Sequence, residues 1–271
     1  MAQGRKSGRF WPIVLCAFAS SCLCVDSAPA SKASNPPDGM VQIPAGIYRP
    51  LLRSTTDLRE VPVKAFHLDI VPVSNANFLE FVRANPRWQR SNIKRIFADE
   101  SYLKNWRGDL EPGTNAPLNA PVVYVSWFAA RAYAHWLGKR LPTTAEWEHA
   151  ATASPTRPDG ENDVAFKSGV LRWYAEPGAT EFLPVGGGPQ NVYGVRDLHG
   201  LVWEWASDFN SAFISGDSRD GGTDTKLFCG GGAQNSQNLD DYPAFMRYAF
   251  RSSLQADYCI HNLGFRCAKD L

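Results

Sequence analysis

The densest run of side chains able to do chemistry lies between Asn191 and Phe209, NVYGVRDLHGLVWEWASDF. Glu204 stands between Trp203 and Trp205. Indole rings this close together are too large to leave in water, so the segment is expected to be buried. A carboxylate carried inside with them must be ion-paired, hydrogen-bonded or bound to a cation. Gly194 and Gly200 suit backbone that turns or packs closely. These residues leave two readings open, a core strand with a satisfied glutamate and an ion site.

The remaining reactive residues name no reaction. Cys16, Cys22 and Cys24 fall in an N-terminal apolar stretch, and Cys229, Cys259 and Cys267 in the body of the chain. Three thiols in an oxidising compartment predict one disulfide and one leftover thiol. There is no HExxH, CxxC or CxxCH spacing, and His67, His135, His149, His199 and His261 are scattered, which reads as structural. No nucleophile elbow, P-loop or dinucleotide fingerprint occurs. Asp217, Asp220 and Asp224 with Gly221 and Gly222 form an acidic turn without calcium-loop spacing.

Residues 1–30 read as a secretory signal. Arg5, Lys6 and Arg9 precede the apolar run Phe10 to Cys24, and Ala28-Pro29-Ala30 forms a cleavage site. The run is too short for a comfortable membrane span. Cys22 lacks the leucine that a lipoprotein box needs, so a cleaved periplasmic or secreted protein is the expectation. Residues 31–39 read as a disordered lead. Without residues 1–30, 25 basic side chains face 26 acidic ones and no basic run appears, which argues against nucleic acid.

Composition of 44% hydrophobic and 20% charged residues describes a globular chain, and 19 Pro with 22 Gly make it loop-rich. Met40 to Tyr48 reads as an edge strand and turn, Val61 to Val73 as a second strand. Ser74 can cap a helix to Ala84 with Phe78, Phe81 and Val82 inward. Ser126 starts another, with Trp127, Ala130, Tyr133, Ala134 and Leu137 on one stripe and Gly138 as its stop. Thr143 and Glu146 form a capping box for a third, with Trp147 and Ala150 inward. Residues 87–120 read as irregular, anchored by Trp88 and Trp106, and 154–190 as loop.

Four ordered blocks carry a family resemblance: MVQIPAG at Met40, PVVYVSWFAARAYAHWLGKRLPTTAEWEHA at Pro121, YGVRDLHGLVWEW at Tyr193 and NLGFRC at Asn262. Together they resemble the formylglycine-generating enzymes, or sulfatase-modifying factors, over residues 40–271. The resemblance implies an α+β fold, a distorted C-type-lectin-like single domain with few short helices and strands. It implies a substrate groove at Trp205, Arg251, Asn262 and Tyr248. It also implies a calcium site at Gly200, Val202 and Glu204, and a disulfide between Cys229 and Cys267, with Cys229–Cys259 as the alternative.

The departures bear on function. The family's oxidation uses a C-x4-C pair, because two thiolates suit soft copper(I). Aligned on Arg251-Ser252, those positions are Pro243 and Tyr248. Copper at a family-type site is therefore not expected, nor is formylglycine generation. The wording FCGGGA and FMRYAFRSSL is closest to exported members found beside copper nitrite reductases, and pyoverdine-maturation proteins share the missing cysteines. The implied role is oxidative maturation of an exported protein, peptide or small-molecule precursor by a monomer. The alternative is a non-catalytic module that binds a peptide or partner enzyme in the same groove.

Overall fold

In this computed structural model the described residues are Met1, 37–49, 60–160, 162–175, 183–210 and 242–271. The chain divides into Met1–Ala33 and Ser34–Leu271, and every element below belongs to the second unit. The expected signal, the Asp217–Asp224 turn and Cys229 lie outside the described residues.

Both expected strands are split, the first at Pro44 and the second at Lys64-Ala65. Pro44 cannot donate to a ladder, so Met40 to Tyr48 becomes β1, Met40–Ile43, and β2, Gly46–Tyr48. Val61 to Val73 becomes β3, Val61–Val63, and β4, Phe66–Asp69. β1 and β4 pair antiparallel, with Met40 opposite Asp69 and Ile43 opposite Phe66. The C-terminal β7, Ala268–Asp270, completes this sheet, with Leu68 opposite Ala268. β2 and β3 form a separate hairpin.

The helices follow their caps. α1, Asn75–Ala84, begins where Ser74 accepts from the Asn77 amide, and Phe78, Phe81 and Val82 are buried. α2, Trp127–Trp136, starts at Ser126, which accepts from the Ala129 amide. Gly138 at φ 65° then takes the left-handed turn a side chain resists. α3, Thr144–Ala151, carries the capping box between Thr143 and Glu146. Such caps each stabilise by about 1 kcal/mol.

Two helices went unread in the sequence. α4, Val164–Ala175, lies within the expected loop; Asp163 accepts from the Phe166 amide at its start. α5 is Tyr242–Ser252. Between them the signature segment supplies only β5, Trp203–Glu204, parallel to β6, Leu263–Gly264. A Cβ on Gly264 would lie 2.6 Å from the Val122 carbonyl oxygen, so only glycine allows this approach.

Two cores result. One packs α1 and α2 against Trp106, Trp205 and Phe265; the other packs β1, β3 and β4 against Trp147 on α3. Trp88 and Trp106 anchor the irregular 87–120 segment as expected.

Candidate functional site around Trp147

Trp147 is shared between two buried carboxylates. Its indole N–H donates to Glu204 Oε2 at 2.7 Å. Arg266 grips the same carboxylate as a fork, Nε to Oε2 at 2.7 Å and Nη2 to Oε1 at 2.8 Å. Both side chains are fully enclosed, at 0% exposure. Arg266 Nη1 reaches the Asp69 and Ile70 carbonyls, and Nη2 the Arg196 carbonyl. The pair is electrically neutral and saturated with partners, which is what burial of two charges requires.

The expected calcium ligation at Gly200, Val202 and Glu204 does not fit this geometry. A carboxylate offers about four lone-pair directions, and three on Glu204 are filled. Its charge is already balanced by Arg266, so burial demands no cation. Gly200 is exposed at φ 98° and Val202 is buried.

The second carboxylate has the opposite balance. Glu148 on α3 receives Arg247 Nε at 2.9 and 3.1 Å and Nη2 at 2.7 Å. Arg251 Nη1 adds a contact at 2.5 Å. Residues 247 and 251 lie one turn apart on α5, which puts both guanidiniums on one face. Arg251 sits 4.9 Å from the Trp147 ring centroid and Arg247 5.5 Å, distances at which a cation is attracted to an indole face. Arg247 Nη1 also donates to the Tyr174 hydroxyl at 3.1 Å. Two guanidiniums on one carboxylate leave one surplus positive charge.

Titration follows that charge. Burial alone would raise the Glu148 carboxyl, but attraction to Arg247 and Arg251 and their hydrogen bonds hold it down to about 2. Burial pushes the Tyr48 and Tyr174 hydroxyls up. His199 is lowered to about 4, first by burial and then by Arg247. Its Nε2 lies 3.0 Å from the Ala151 carbonyl, which assigns the proton to Nε2, and Nδ1 has no partner among the described residues.

The four expected groove residues separate. Arg251 is in the charged cluster. Trp205 is not a groove residue: it is completely buried, and its indole N–H donates to the Val125 carbonyl. Trp203 takes the outward place, half-buried and stacked on Phe250 at 4.2 Å. Its amide donates to the Asn262 carbonyl. The Asn262 side-chain oxygen is closed from water with no partner among the described residues. Tyr248 lies on α5, its side chain outside the described set.

The thiols are placed unfavourably for metal chemistry. Cys259 and Cys267 are buried and free. Burial, then Asp99, pushes the Cys259 thiol up; burial, then Asp69, does so for Cys267. The expected partner of Cys267, Cys229, lies outside the described residues.

This geometry can be set beside known proteins. The model of the sulfatase-modifying factor enzyme 1-like domain matches residues 26–271. The chain belongs to that family. The inactive C-alpha-formylglycine-generating enzyme 2 of Bos taurus is 33% identical, over 84% of this chain and 87% of that protein. The formylglycine-generating enzyme of Streptomyces coelicolor is also 33% identical, over 79% and 81%. PvdO from Pseudomonas aeruginosa has the same fold, with TM-score 0.50 and 21% identity over 86% of this chain and 94% of that one. The α+β single domain with few helices and short strands is thus the family's. Relatives named inactive and active match equally well, so identity alone does not assign turnover.

Glu148, Arg247, Tyr174 and His199 escaped the sequence reading. The signal for Arg247 and Arg251 was their four-residue spacing beside an inward Glu148. That spacing needs α5 to be recognised as a helix.

Proposed function

We propose that this chain is an exported maturation factor that does not generate formylglycine through a copper dithiolate. It assists oxidation of an exported protein, peptide or small-molecule precursor, such as one of a copper nitrite reductase system. One observation carries the reading: α5 presents Pro243 and Tyr248 where the family resemblance requires thiols. The two described thiols are buried, and burial pushes both away from the thiolate, the form that ligates. The surplus positive charge at Arg247 and Arg251, on the helix whose Phe250 stacks on Trp203, supports binding of an extended substrate beside Trp203.

Incubation with copper, oxygen and a C-x-P-x-R peptide tests the reading. No aldehyde above background is expected; aldehyde formed over many turnovers would overturn it. Export is checked by mass spectrometry of the mature N-terminus, which should begin at Ser31. Among the described residues no helix is long and apolar enough to cross a membrane.

The second reading is a non-catalytic module that holds a peptide or partner enzyme, as compatible with the family match as the first. Oxygen uptake in the presence of the cognate precursor separates the two: the maturation factor consumes it and the binding module does not.

A further inference from the structure

A cavity of about 620 Å³ lies beneath α4, apart from the Glu148 cluster. Phe166, Val170 and Trp173 line it from the helix, and Val195 and Leu198 from the signature segment. Residues 166, 170 and 173 share one helical face; Phe166 packs edge-on against His199 and Trp173 against Trp203, and the same face lines the cavity.

Most polar groups on the wall are already occupied. Asp197 accepts the Gly186 amide at 2.5 Å and the Gly188 amide at 2.8 Å. Asp163 caps α4 and accepts from Thr156. Asn191 accepts the Tyr193 and Val195 amides and donates to the Ala150 carbonyl. His199 is wedged edge-on against Phe166 and Trp147, at 5.7 and 6.0 Å between centroids. Arg196, the nearest cation on the segment, is turned to the Gly188 carbonyl and Gln190. His199 Nδ1 is the buried wall atom left without a partner among the described residues, an acceptor for a ligand N–H or O–H. An anion would meet Asp163 and Asp197.

We infer that this cavity binds one uncharged, aromatic small molecule between α4 and the 189–200 segment. Its size lies within the range of about 300–1,000 Å³ typical of ligand pockets, larger than one side chain needs. Phe166 and Trp173 supply faces and edges for ring contacts. His199 touches both this cavity and Trp147, so the ligand sits one residue from the charged site. The inference does not depend on whether the chain is catalytic.

The test is fluorescence titration with N-phenyl-1-naphthylamine, an uncharged two-part aromatic probe. Saturation at one probe per chain is expected, with at least tenfold weaker binding of 1-anilinonaphthalene-8-sulfonate, which adds a negative charge. Val170→Trp fills the cavity and should abolish saturable binding. Ala165→Trp, at the exposed rim, should weaken it about tenfold even if Val170→Trp folds poorly. Absence of saturable binding, equal binding of the sulfonate, or wild-type binding by Ala165→Trp together with folded Val170→Trp would each overturn the inference. The aldehyde assay is indifferent to these substitutions, so its outcome is read separately.

Discussion

Glu204 and Glu148 are both buried carboxylates that meet Trp147, one at the indole N–H and the other through arginines stacked on its face. Glu204 has one arginine, no exposure and no spare charge. Glu148 has two arginines, each retaining about a tenth of its side-chain surface. The first arrangement ties β5 to β6 and the sheet end. The second holds a positive charge in reserve where α3, α4 and α5 meet. A buried ion pair is weak evidence for stability in itself. Its charge balance and its access to water indicate which pair belongs to the scaffold and which to a site.

The sharpest contrast comes from removing one partner. Arg266→Met strands the Glu204 charge in an interior without water and should cost about 3–5 kcal/mol. At about 2–4 °C per kcal/mol for a domain of this size, the melting temperature should fall by about 6–20 °C. The double change Glu204→Leu with Arg266→Met should recover much of the loss. Glu148→Gln leaves two guanidiniums that can still reach water, so its cost should be smaller, about 1–3 kcal/mol. If Glu148→Gln proved the more damaging, the division between scaffold pair and site cluster would fail.

Acid should separate the two regions by a different route. His199 binds a proton near 6.5 when unfolded and near 4 when folded. The unfolded chain therefore holds more protons between those values, and stability should decline as pH falls from about 6.5 to about 4. The loss is about 3 kcal/mol, and His199→Phe should flatten that part of the curve. Glu148 adds a second decline from about 4.5 toward 2, because its carboxyl stays ionised longer in the fold. Thermal melts across pH 3–8 measure both.

Much of the scaffold was legible in the sequence. Ser74, Ser126, Thr143 and Glu146 announced three helix starts, because cap chemistry is local. Burial of Trp147, Trp205 and Glu204 followed from residue type. The identity of the Glu204 counterion did not. Arg266 is sixty-two positions away, and only the parallel β5–β6 pairing brings it opposite. The Glu148 cluster was hidden for the same reason, since α5 is joined to α3 by tertiary contact alone. α4 was missed inside the segment read as loop; its interior Gly169 weakens helix propensity, and its Asp163 cap is a single local signal. The groove assignment erred at Trp205 because two neighbouring tryptophans cannot be sorted into inner and outer places without the fold.

Smaller effects sharpen the same contrast. A chelator should leave the melting temperature unchanged, because Arg266 already supplies the positive charge that calcium would bring. A clear drop, restored by calcium, would mean that Glu204 has a cation partner besides Arg266. Ser126→Ala removes the α2 cap and should cost about 1 kcal/mol without touching either carboxylate, a reference for ordinary scaffold damage.

Copper(I) competition is the most direct measurement of the functional reading. The purified, reduced chain is titrated against a bathocuproine complex, and the copper retained by the protein is read from the loss of chelator absorbance. With Pro243 and Tyr248 on α5 and the described thiols buried, no stoichiometric transfer is expected. One copper(I) bound per chain, tightly enough to strip the chelator, would contradict the absence of a dithiolate and return the protein to formylglycine chemistry.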